Sequence, residues 1–152
     1  MINRRSFIVG IKSTKLSSKE KIFLRKYQPW GIILFSRNIK NIDQSFKLTS
    51  SIRKIFNDKK YPILIDQEGG RVNRLKNIIA CENLTSEFFG NKYIKNMKEF
   101  NFFYKLFIDK TSYLLKSIGV NINTSPVLDL RIKGASNIIG DRSFSNDPKI
   151  VS

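Results

Sequence analysis

The sequence predicts an α/β fold built on a parallel sheet, and three observations carry that prediction. Short β-branched runs alternate with longer segments of helical apolar spacing. The links between them are short, as in strand–helix–strand crossovers of the right-handed kind. The run Tyr61-Pro62-Ile63-Leu64-Ile65 is apolar without alternation, and it ends abruptly in Asp66-Gln67-Glu68-Gly69-Gly70-Arg71-Val72-Asn73-Arg74. A strand buried on both faces reads this way where it opens into a polar site.

The elements follow in order. Residues 7–11 form a first strand. Ser17 is followed three residues later by Glu20, the capping-box pattern, and starts a helix carrying Ile22, Phe23 and Tyr27 on one face. Pro29 ends that helix, and residues 31–35 are the second strand. Asp43 is placed to cap a helix whose apolar positions are Phe46, Leu48, Ile52, Ile55 and Phe56. Residues 63–66 are the third strand. One long helix over residues 94–117 carries Met97, Phe102, Leu106, Leu114 and Leu115, and Gly119 stops it before a fourth strand at 120–123. Asp147-Pro148 reads as the N-cap and first-turn proline of a further helix. This alternation fits a barrel and an open doubly wound sheet equally.

The segment after the third strand holds the chemistry. Gly69 and Gly70 disfavour a helix and allow backbone geometry closed to other residues. Asp66 accepts hydrogen bonds at the strand's carboxyl end, while Arg71 and Arg74 offer planar donor forks. Such a set suits a small ligand rich in hydroxyls, such as a sugar ring. The plain structural alternative is an ion pair within the loop, Asp66 with Arg71.

A second informative stretch runs from Gly119-Val120-Asn121-Ile122-Asn123-Thr124-Ser125-Pro126-Val127-Leu128-Asp129-Leu130 to Asn137-Ile138-Ile139-Gly140-Asp141-Arg142-Ser143-Phe144-Ser145-Asn146-Asp147-Pro148. Together with residues 31–39 and 66–74, it resembles the amino-terminal half of the family 3 glycoside hydrolases. Within that family it is most similar to the bacterial β-N-acetylglucosaminidases (β-hexosaminidases) of cell-wall recycling. The resemblance covers nearly the whole chain from about Phe7 onward, and its two best motifs stand in the family's order and spacing.

The resemblance selects the barrel: the fold class it implies is α/β, the amino-terminal half of a TIM-type (β/α)8 barrel with about four β/α units, residues 1–152 forming one partial domain. Ligands of such barrels bind at the carboxyl ends of the strands, where Asp66, Arg74, Asp129 and Arg142 all fall. Matched residue by residue, the resemblance makes Asp66, Arg74 and Arg142 the substrate-binding residues and leaves Glu68, Arg71 and Asp129 to hold loops. The structural alternatives are Asp66 paired with Arg71, Asp141 capping Ser143, and Arg142 as a surface charge. The pattern departs from the family between Asn77 and Phe100, where Ala80-Cys81-Glu82-Asn83-Leu84 replaces a proline-containing connection.

The implied activity is retaining hydrolysis of terminal N-acetylglucosamine from β-glycosides such as peptidoglycan fragments, through a covalent glycosyl-enzyme. The family's general acid/base is a histidine, and its nucleophile is an aspartate on a later strand end. The 152 residues include no histidine, and a full barrel takes about 250. The chain is therefore expected to be a fragment with no catalytic residue of its own, inactive when isolated. It is also expected to expose apolar surface at Val120, Ile122, Ile63 and Ile65, and to aggregate, self-associate through its open edges or stay partly molten unless the missing barrel half is supplied in trans. A non-catalytic sugar-binding remnant is the alternative.

Composition bounds the rest. Lys and Arg number 28 against 12 acids, a net charge of +16, which raises a nucleic-acid-binding module as a rival. The lysines, however, are spread from Lys12 to Lys149, with no basic run longer than a pair such as Lys59-Lys60 and no nucleic-acid motif. The apolar run at residues 7–11 is too short for a signal peptide or a membrane span. Cys81 is the single cysteine, so no internal disulfide forms. The expectation is a cytoplasmic protein with a carbohydrate substrate, no cofactor, no metal, and neither nucleic acid nor membrane as partner.

Overall fold

The computed structural model describes residues 4–134 and 136–152. Its centre is a four-stranded parallel sheet in sequential order, β1 (Arg5–Gly10), β2 (Pro29–Leu34), β3 (Ile63–Ile65) and β4 (Ile122–Asn123). Helices α1 (Ser18–Tyr27) and α2 (Ile42–Phe56) fill the first two crossovers, and α3 (Ser86–Lys95) and α4 (Met97–Ser117) the third. A short helix α5 (Pro148–Val151) follows the long segment after β4, with Asp147 as its N-cap and Pro148 in its first turn. Strands added one after another with helical crossovers make the first half of a (β/α)8 barrel.

The capping chemistry matches the sequence at α1, where the Ser17 side chain accepts from the Glu20 backbone and Glu20 reaches back to the Ser17 N–H. It differs at α2: Asn41, two residues before Asp43, is the cap, its carboxamide oxygen accepting from the Gln44 N–H at 2.9 Å. Asp43 lies in the first turn, where its charge favours the positive end of the helix. The helix expected over residues 94–117 is α4 and starts at Met97, while residues 94 and 95 end a separate helix, α3, that the sequence reading did not anticipate. The chain breaks at Asn96, whose side chain caps α4 through Lys98 and Glu99 while its own backbone closes α3 at Lys92.

Which helix faces are buried also departs from the sequence reading. On α1 the core residue is Leu24, while Ile22 and Phe23 face solvent. On α2, Leu48, Ile52 and Phe56 are buried and Phe46 is exposed. On α4, Met97, Phe102 and Leu106 are exposed, whereas Leu114 and Leu115 are buried and Phe107 packs against Phe89 of α3. Helices with apolar residues on more than one side leave the choice of face to their neighbours.

The core lies between the sheet and its helices. Ile32, Leu34, Ile63, Ile65 and Val120 pack with Leu48, Ile52, Leu114, Leu115 and Ile118. This overturns the expected exposure of Ile63, Ile65 and Val120, which are 0%, 0% and 4% exposed. Side chains alternate across a strand, so Ile63 and Ile65 point to the helices and only Leu64 points inward. The register sets Gly10, Ile33, Leu64 and Ile122 side by side on that inner face, with Ile8 one layer below beside Gly31. Of the four residues named as exposed, only Ile122, on the inner face, is not fully buried, and it is half-buried.

Candidate functional site

Two residues beyond Ile33, Leu64 and Ile122 come Phe35, Asp66 and Thr124, past the strand ends on the same face. They make the floor of a polar site. Asp66 accepts from the Thr124 hydroxyl at 2.8 Å through Oδ1 and from Arg74 Nη2 at 3.3 Å through Oδ2. The Arg74 guanidinium also lies over the Phe35 ring, 5.6 Å from its centroid, a favourable place for a planar cation. The ion partner of Asp66 is thus Arg74, not Arg71.

The turn that brings Arg74 back to Asp66 is built around Gln67. Its side chain is buried, with the amide oxygen accepting from the N–H groups of Arg74 (2.8 Å) and Leu75 (3.1 Å) and the nitrogen donating to Asn73 (3.1 Å). The Gln67 backbone is clamped in turn by Asn123, which accepts from its N–H at 2.9 Å and donates to its carbonyl at 3.1 Å. A buried amide satisfied at both ends fixes a turn better than apolar packing, because any slip strands a polar group. Gly69 has φ +90, and a Cβ there would run into the Leu84 carbonyl. The glycine pair is therefore seated on the 80–84 segment, with Gly70 N–H donating to the Cys81 carbonyl at 2.9 Å. Cys81 itself is inert packing: burial pushes its thiol pKa up, and its sulfur only accepts from Gln67.

The 137–144 segment closes the far side. Arg142 meets Glu68 edge-on, with Nε to Oε2 and Nη2 to Oε1 both 2.8 Å. That pairing raises the arginine's pKa, burial opposes the rise, and the charges of Glu68, Asp129 and Asp66 add to it. Arg71 acts as a strap: its Nη2 donates to the carbonyls of Asn137, Ile138 and Ile139, and its Nε pairs with Asp141 at 3.1 Å. Asp141 therefore binds Arg71, whereas the Ser143 hydroxyl donates to the carbonyls of Asp129 and Ser145. Arg131 pairs with Glu87 of α3, tying the segment after β4 to that helix.

Asp66 and Arg74 are thus in contact, and Arg142 stands on Glu68 within the electrostatic reach of Asp66. Sequence reasoning missed Thr124, Gln67 and Phe35. Thr124 and Phe35 were legible in principle from strand alternation, whereas a buried hub such as Gln67 leaves no mark in sequence. Among the described residues no group of histidine, cysteine or carboxylate side chains is arranged to hold a metal.

The chain matches the glycosyl hydrolase family 3 N terminal domain over residues 6–152. It belongs to glycoside hydrolase family 3. Curated relatives in the family include β-hexosaminidases of Xanthomonas oryzae, 33% identical over 147 residues, and Hydrogenovibrio crunogenus, 35% identical over 144. Each alignment covers 95% of this chain but only 42% and 40% of those proteins. Among solved structures, native NagZ from Neisseria gonorrhoeae superposes with a TM-score of 0.84 at 29% identity, over 97% of this chain and 43% of that one. A family 3 β-N-acetylglucosaminidase from Paenibacillus superposes with a TM-score of 0.76 at 26% identity, over 95% of this chain and 27% of that one. The chain spans about two fifths of the length of the curated relatives it matches.

Proposed function

We propose that this chain forms the sugar-binding half of a family 3 β-N-acetylhexosaminidase site, holding a terminal N-acetylglucosamine through Asp66, Arg74 and Arg142. The observation that carries the reading is Asp66 itself: a carboxylate at the carboxyl end of a barrel strand, oriented by Thr124 and Arg74 and left partly open. Two lone-pair directions fixed by neighbours leave the others for ligand hydroxyls, a common way for a carboxylate to read a sugar. A NagZ from Neisseria gonorrhoeae has been solved in complex with N-trifluoroacetyl-D-glucosamine, at 28% identity and a TM-score of 0.73, which supports a ligand of that class here.

In the complete site the reaction is retaining hydrolysis of β-linked N-acetylglucosamine on peptidoglycan fragments, in the cytoplasm. Residues of this chain bind and orient the ring, and their contribution grows as the ring distorts toward the transition state. Proton transfer by a histidine, worth about 100- to 10,000-fold, is supplied from outside these 152 residues, which contain none. The chain alone therefore binds without turnover, and the complementary half of a family 3 barrel supplied in trans restores cleavage.

Calorimetric titration of the chain with N-acetylglucosamine tests the binding claim. Asp66→Asn keeps the shape but removes the charge-assisted acceptor, and weakens binding by roughly 10- to 100-fold. A wild-type chain with no measurable affinity for the sugar would sink the reading.

A further inference from the structure

Arg142 does not face the site as a free cation. Its Nε/Nη2 edge, the one that grips a carboxylate or phosphate with two parallel hydrogen bonds, is already filled by Glu68. The Glu68 side chain is 7% exposed. Gly69, Gly70, Thr85 and Ser86 close around Glu68 and its partner, so the pair meets solvent only on the Arg142 side, where the arginine is 25% exposed. Asp129 and Asp66 add their negative charge to the same guanidinium. Only Nη1 and the outer hydrogen of Nη2 remain for a ligand, as neutralised hydrogen-bond donors.

We propose that Glu68 is a positioning and specificity-determining residue: it aims Arg142 at the ligand and makes the site take an uncharged amino sugar in preference to an anionic one. The inference rests on the sugar-site reading above. A hydroxyl or acetamido oxygen needs one well-placed donor, which the free side of Arg142 supplies. A phosphorylated or carboxylated sugar needs the occupied edge of Arg142 and meets the Glu68 and Asp66 carboxylates, each already holding an arginine. The Gly69-Gly70 turn that follows Glu68 is fitted against Thr85, where a Cβ on Gly70 would come within 2.7 Å of Cγ2.

The test compares dissociation constants of N-acetylglucosamine and N-acetylglucosamine 6-phosphate for the 152-residue chain, its Glu68→Gln variant and its Asp141→Asn variant, with thermal melts alongside. The wild type favours the neutral sugar. Glu68→Gln retains one hydrogen bond to Arg142 but frees its charge, so the preference moves toward the phosphate by about tenfold or more. Asp141→Asn loosens the same segment through Arg71 and leaves the ratio unchanged, which separates charge control from loosening. Should Glu68→Gln fail to fold, Glu68→Asp keeps the charge but withdraws it from the paired geometry. It then weakens the neutral sugar without shifting the ratio. Wild-type binding with an unaltered ratio in Glu68→Gln overturns the inference alone. A wild type that binds neither sugar overturns it together with the sugar-site reading.

Discussion

At the scale of single residues, charges in this chain act through defined partners despite the net +16. Asp66–Arg74, Glu68–Arg142 and Arg71–Asp141 all join the 66–74 turn or the segment beyond β4, so the basic excess is not concentrated in the site. Asp58, at the opposite end of the sheet, shows the consequence for stability. The hydrogen bond from Arg4 holds its pKa below the usual carboxylate value, helped by the Lys60 N–H. A carboxylate with a depressed folded-state pKa adds stability above its unfolded pKa of about 3.9, and loses it as pH falls through the lower folded value. Asp58→Asn should therefore be less stable than the wild type near neutral pH, and the gap should close below about pH 4. Urea melts across that range check it; a gap that stays constant rules out Asp58 as a source of acid sensitivity.

At the scale of elements, the decisive contacts are close backbone approaches. Gly90 of α3 lies directly against the Phe144 backbone, and a Cβ there would overlap the Phe144 carbonyl. Helix α3 and the segment carrying Arg142 are fitted together at that point, with Phe144 in edge contact with Tyr104 of α4. Gly90→Ala should push the segment off α3 and destabilise the chain by about 2–4 kcal/mol, since no flexible side chain is available to yield. Because Arg142 rides on the segment, sugar affinity should fall as well. A variant as stable as the wild type in urea would mean that the two elements are not packed this closely. The same scale explains why the helix expected from residue 94 overran the end of α3, and why α3 itself was missed. The apolar periodicity runs across Asn96, and its double capping role becomes visible only once both flanking helices are placed.

At the scale of the whole molecule, the two faces of the sheet have different fates. The outer face is sealed by helices, so Ile63→Ala should cost about 2–5 kcal/mol. The inner face carries Ile8 at 45% exposure beside the half-buried Ile33 and Ile122, and β1 and β4 present unpaired edges. Exposed edges next to apolar surface favour pairing between chains. Sedimentation should show concentration-dependent self-association of the wild type, reduced by Ile8→Lys, which leaves the core untouched. A wild type that stays monomeric as its concentration rises would refute this.

Much of the fold was written in the sequence because it depends on local chemistry. Buried strands read as β-branched runs, the capping box at Ser17 and the Asp147-Pro148 start are short-range signals, and the acid, glycines and arginines after Ile65 marked where the strand opens. Asp66, Arg74 and Arg142, which the family resemblance singled out, each form an ion pair in the fold. What the sequence left open depends on distant neighbours. Only the packed chain decides that Leu24 rather than Ile22 meets the core and that Asp66 chooses Arg74 over Arg71. Only it brings Thr124 to Asp66 and Glu68 to Arg142, across 58 and 74 residues of chain. Pairings of that separation carry no periodicity or spacing, and they exist only when parallel strands set residues from different crossovers side by side.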